Sequence, residues 1–102
     1  MKIVHATIET TADNTTLYNA LISATQKSGA TIFATGKHEF HPFGISAFVI
    51  LGESHTAIHS FPEKKNVWVE VASCTDNINT NKFFENFISY LSARFINNPQ
   101  SN

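Results

Sequence analysis

Apolar and polar positions change their period repeatedly along the chain, and each change predicts an element. Residues 2 to 9 (KIVHATIE) alternate loosely and are rich in β-branched types, which predicts a first strand. Asp13 suits the cap of a helix. After it Leu17, Leu21 and Ala24, with Tyr18 and Ile22, recur at spacings of three and four until Gly29, the pattern of an amphipathic helix with its stop. Residues Ala30 to Phe40 return to period two, and His41-Pro42 marks a turn. The segment Gly44 to Leu51 (GISAFVIL) is almost wholly apolar, as expected of a strand covered on both faces. A shorter stretch from His55 to His59 precedes Pro62. Residues Asn66 to Ser73 (NVWVEVAS) then alternate cleanly, with Val67, Val69 and Val71 on one face and Trp68, Glu70 and Ala72 on the other. The last element reads as a helix from about Thr80 to Phe95, with Phe83, Phe87, Leu91 and Phe95 on one stripe and Phe84 and Ile88 beside it. The polar tail NNPQSN reads as frayed.

The order strand, helix, several strands, helix predicts an α+β fold. It is a two-layer α/β sandwich whose mainly antiparallel sheet is covered on one face by two helices. No repeat or linker interrupts it, and 102 residues hold one core, so residues 1–102 form a single domain.

Composition narrows the function. Seven basic and eight acidic residues give a net charge of -1, with no cationic cluster beyond Lys64-Lys65, which argues against nucleic acid as a partner. His5 and Glu9 interrupt the start before any signal-like apolar stretch, and no run approaches membrane-spanning length. The single cysteine, Cys74, excludes an internal disulfide framework and fits a reducing cytoplasm.

Candidate chemistry concentrates in the middle of the chain. His38, His41, His55 and His59 are imidazole donors of the kind that bind zinc. The first two suit a turn and the second two share a strand face, with no acidic residue at a diagnostic offset, so surface or half-buried histidines are the better account. A serine hydrolase built on Ser54 and His59 fares no better, because Gly52-Glu53-Ser54-His55-Thr56 lacks the second glycine of a nucleophile elbow.

One stretch is specific. GISAFVILGESHTAIHSFPE, residues 44 to 63, followed by VASC at 71 to 74, resembles the prokaryotic S-adenosylmethionine decarboxylase proenzymes. The marks of that family are a Gly-(Ile/Val)-Ser strand, an Glu-Ser-His segment running on to Ile-His and then Pro-Glu, and a cysteine after a further strand. The resemblance extends from Ser28-Gly29-Ala30-Thr31 through Cys74 and more weakly into the last helix.

The resemblance implies an enzyme that cuts itself at Glu53-Ser54, giving a β chain of residues 1–53 and an α chain of residues 54–102. Ser54 becomes a covalent pyruvoyl group that forms a Schiff base with the substrate amine and accepts electrons as carbon dioxide departs; no metal or pyridoxal phosphate is implied. His59 abstracts a proton during processing and Ser46 stabilises the processing intermediate. Cys74 is the general acid of decarboxylation. Glu63 binds the ribose hydroxyls, and Phe40 stacks on adenine. The implied substrate is a small amino-acid-type molecule, S-adenosylmethionine, consumed for spermidine synthesis by a cytoplasmic homodimer.

The sequence departs from the family at Phe61, usually tryptophan, at Lys64-Lys65-Asn66, usually a turn with tyrosine and glycine, and at Thr75, usually glycine. It also stops soon after the last helix, where relatives continue into another strand, so an uncovered or partner-paired sheet edge is expected. These departures leave open a relative recruited to ornithine or arginine, or a non-processing regulatory subunit.

Overall fold

Alternate residues are buried in the inner strands, and that alternation fixes which face of the sheet meets the helices. The computed structural model describes residues 1–74 and 78–101, so Thr75 lies outside the described residues. In chain order the elements are β1 (Lys2–Glu9), α1 (Asn14–Lys27), β2 (Ala34–Glu39), β3 (Ile45–Leu51), β4 (Ser54–Phe61), a single 3-10 turn at Pro62–Lys64, β5 (Asn66–Ser73), α2 (Thr80–Leu91) and β6 (Arg94–Ser101). The six strands form one sheet in the order β2-β3-β4-β5-β1-β6. Every neighbouring pair is antiparallel. The expected two-layer α+β sandwich is therefore present.

Both helices lie on one face. Leu17, Leu21 and Ala24 of α1 and Phe83, Phe84 and Phe87 of α2 pack with Val4, Ile8, Ile58, Val67 and Val69 of the sheet in one buried cluster. The carboxylate of Asp13 caps α1 by accepting the Thr16 N–H at 2.9 Å, and that bond holds the Asp13 carboxyl below its ordinary range. Gly29, at φ +88°, follows the last turn, where the left-handed region favours glycine. Phe83 and Phe87 are fully buried and stack with centroids 6.0 Å apart. Truncating Phe87 to alanine is expected to cost about 3 to 5 kcal/mol in chemical unfolding, because the helix layer cannot close over the void. A loss below about 1 kcal/mol would show that α2 contributes little to this core.

Three expectations need correction. The last helix stops at Leu91, not near Phe95, because Ser92 turns left-handed at φ 51° and the Ala93 N–H bonds back to the Ile88 carbonyl at 3.1 Å. Phe95 falls four residues after Leu91 and so mimics a helical stripe; its ring meets Phe84 from the neighbouring strand, at 6.2 Å. The tail is not frayed, and a strand does follow the helix. Residues 94 to 101 form β6 along β1, with Thr7 opposite Asn97 and His5 opposite Gln100, which closes the edge expected to be open. Pro99 lies in the register shift between those pairs, where a strand tolerates a residue without an N–H. Finally, GISAFVIL is covered on one face only. Ile45, Ala47 and Val49 are buried under the helices, while Ser46, Phe48 and Ile50 face the other way, Phe48 with 44% exposure. The Phe48 ring lies against Gly36, where a Cβ would come within 2.4 Å of it. Among the described residues nothing covers this open face.

Candidate active site

The turn between β3 and β4 is two residues long, with Leu51 paired to Ser54 across it. Gly52 takes φ +81°, the conformation a two-residue hairpin reserves for glycine at its first position. The Glu53-Ser54 peptide bond therefore lies at the exit of a tight turn. Ser54 is 6% exposed. Its hydroxyl oxygen accepts the Cys74 backbone N–H at 3.0 Å, and the Cys74 thiol donates to the Glu53 carbonyl oxygen at 3.3 Å. One residue at the end of β5 thus engages both the hydroxyl and the carbonyl on either side of one peptide bond. A cavity of about 320 Å³ beside Ser54 is bordered by Gly29, Ala30, Thr31 and Phe33. The Ser-Gly-Ala-Thr junction reaches the turn between β3 and β4 through this cavity, and Asn79 holds it by donating its N–H to the Ser28 carbonyl at 3.1 Å.

A second group gathers at the opposite end of the sheet. Ser46 and His59 are cross-strand partners on the open face, with the serine hydroxyl 2.8 Å from Nδ1. With Nδ1 so engaged, Nε2 is the nitrogen left to exchange a proton. The same row across the sheet continues to His38 on one side and Trp68 on the other, whose ring lies 6.0 Å from that of His59. Phe40 is half exposed and meets His38 edge-on at 4.7 Å. Gly44, at φ +119°, leaves room between Phe40 and Pro62, so the loop carrying Phe40 approaches the turn carrying Glu63. Lys64 places its ammonium 5.9 Å from the Phe61 ring in that turn.

The structure therefore brings Ser46, His59, Phe40 and Glu63 to one end of the sheet and Glu53, Ser54 and Cys74 to the other. His59 lies five residues beyond Ser54 on β4, roughly 16 Å along an extended strand, and odd spacing turns the two to opposite faces. Within one chain they do not meet.

The open face also holds a pair that the sequence pattern does not single out. His55 Nε2 lies 2.8 Å from Glu70 Oε2, with both side chains partly buried. Alternation placed each residue on this face, but only the register of β4 with β5 makes them neighbours. Among the described residues no group of three or more histidine, cysteine or acidic side chains is arranged to hold a metal, and no helix is long and apolar enough to cross a membrane.

Comparison with known proteins bears on the whole chain. An S-adenosylmethionine decarboxylase proenzyme from Thermodesulfovibrio yellowstonii is 45% identical over 60 residues, 59% of this chain and 44% of that protein. One from Acidithiobacillus ferrooxidans is 34% identical over 91 residues, 89% of this chain and 65% of that protein. The chain thus spans about half to two thirds of the length of these relatives. The crystal structure of the adenosylmethionine decarboxylase from Aquifex aeolicus matches with a TM-score of 0.77, covering 100% of this chain and 88% of that one, and at 19% identity it shows a shared fold. The family model for S-adenosylmethionine decarboxylase matches residues 2–100. Over nearly its whole length, then, the chain belongs to the S-adenosylmethionine decarboxylase family.

Proposed function

We propose that this chain is a self-cleaving, pyruvoyl-dependent decarboxylase that acts on S-adenosylmethionine for spermidine synthesis, as a cytoplasmic homodimer. The observation that carries the proposal is Cys74 bonded to both sides of the Glu53-Ser54 peptide. Attack by the Ser54 hydroxyl on the Glu53 carbonyl turns that oxygen into an oxyanion, and a thiol donor already aimed at it stabilises the charge as it develops. The amide becomes an ester, and removal of the Ser54 Cα proton expels the Glu53 carboxylate together with the former hydroxyl oxygen. Water and loss of ammonia complete residue 54 as the end of an α chain, 54–102, leaving a β chain, 1–53.

The base for that proton is His59, oriented by Ser46, and it must come from a second copy, because its own Ser54 is roughly 16 Å away on the other face. In a pair of chains, a partner brings its Ser46, His59, Phe40 and Glu63 to the end of the first chain's sheet where Ser54 and Cys74 lie. The two ends of the site then complete one another in a symmetric pair.

The residues present fit a pyruvoyl group, since it would be made from Ser54 itself; such a group would supply an electrophilic carbonyl that binds an amine and takes up the electron pair left behind as the substrate carboxylate departs as carbon dioxide. Cys74, exposed and adjacent, returns the proton to the decarboxylated substrate. Glu63 accepts bonds from ribose hydroxyls, and the exposed Phe40 ring offers a stacking surface for adenine. A second reading, decarboxylation of ornithine or arginine, has one observation in its favour. Lys64 over Phe61 alters the turn next to Glu63, the side on which an adenosyl group would be held. Carbon dioxide release from the three candidates by a cleaved sample decides between them: release from S-adenosylmethionine alone is expected, and no release from it would overturn the leading choice. A chain that never cleaves would instead point to a regulatory subunit.

A further inference from the structure

We infer that His55 and Glu70 are positioning residues that hold the new chain end after self-cleavage; this rests on cleavage at Ser54 as proposed above. The chemistry at residue 54 removes most of what fixes it. The peptide link to Glu53 is broken. The hydroxyl oxygen leaves with the Glu53 carboxyl group, so the 3.0 Å bond from the Cys74 N–H loses its acceptor. The nitrogen leaves as ammonia, so residue 54 can no longer donate to the strand ladder. The reactive end then hangs from residue 55 alone.

Two side-chain bonds lie immediately downstream, one on each face of β4. On the helix face, Thr56 shares a buried 2.8 Å hydrogen bond with Thr25 of α1. On the open face, His55 donates or shares a proton with Glu70 across 2.8 Å, directly beside the new end. Glu70 belongs to β5, and Cys74 follows that strand directly. The His55-Glu70 bond therefore ties the chain end to the strand that leads into the proposed proton donor. Small errors in such a placement cost up to about a hundredfold in rate.

The test compares Glu70→Ala and the near-isosteric Glu70→Gln, each in the natural chain and in an uncleavable Ser54→Ala background. In the cleaved protein, Glu70→Ala should speed amide hydrogen exchange at residues 56 to 58 on the order of tenfold and lower kcat by a similar factor with KM unchanged. Glu70→Gln keeps an acceptor oxygen and should retain most of both. In the uncleaved background the same substitutions should leave exchange at these amides unchanged, because the peptide bond still holds them. Equal effects in both backgrounds, or an unchanged kcat for cleaved Glu70→Ala, would overturn the proposal. A Glu70→Ala chain that folds yet stays whole would place the pair in the cleavage step and overturn it too. A natural chain that stays whole sinks the parent reading, and this one with it.

Discussion

Replacing Ser54 with alanine is expected to leave the chain whole, a single species of 11.3 kDa by denaturing mass spectrometry, with carbon dioxide release abolished. The fold should survive. The hydroxyl oxygen makes one bond, to the Cys74 N–H at the end of β5, and deleting it leaves one part-buried donor at a cost of about 1 kcal/mol. The packing around Ser54 loses only an oxygen atom. The chemistry should not survive, because an alanine methyl cannot attack the Glu53 carbonyl and no pyruvoyl group forms. Cleavage at residue 54 in the alanine variant would mean that the nucleophile is elsewhere and that the bonds from Cys74 serve only the turn.

The second large effect concerns where His59 acts. His59→Ala alone should not complete cleavage, and neither should Ser54→Ala alone. Produced together, the two defective chains should form mixed pairs in which the serine of one faces the histidine of the other. Random pairing makes about half of the pairs mixed, and each contains one intact site, so about a quarter of all chains should be cut. The cut chains should all carry the His59→Ala substitution, which mass spectrometry reads directly. Mixed production with no cleavage would mean that each chain supplies its own base, contrary to the separation of the two groups along β4.

Much of this was legible in the sequence, and the gaps have physical causes. β1 and β5 bury one face and wet the other, so alternation marks them. β6 is an edge strand in which only Phe95 is even partly buried, and a strand with one such residue has no hydrophobic period to read. The hydrophobic stripe of helix α2 runs past its end because Phe95 falls at a helical spacing, while Ser92, which carries none of glycine's signal for a left-handed stop, ends the helix. The motif named Ser54, His59, Ser46 and Cys74 without placing them. Strand parity already set Ser54 and His59 on opposite faces. That Cys74 meets Glu53 across 21 positions, and that His55 meets Glu70, depends on strand pairing, which local pattern does not encode.

Strand order also determines what the proposed self-cleavage would do to the molecule as an object. The segment before residue 54 supplies β1, β2 and β3, and the segment from residue 54 onward supplies β4, β5 and β6. In the sheet they interleave, with β1 gripped between β5 and β6 and β4 laid against β3. Separating the two products would require unzipping three strand interfaces and opening the shared core. A backbone cut at this hairpin would leave an architecture that still behaves as one body, two threads woven together by strand pairing rather than by the peptide link between them.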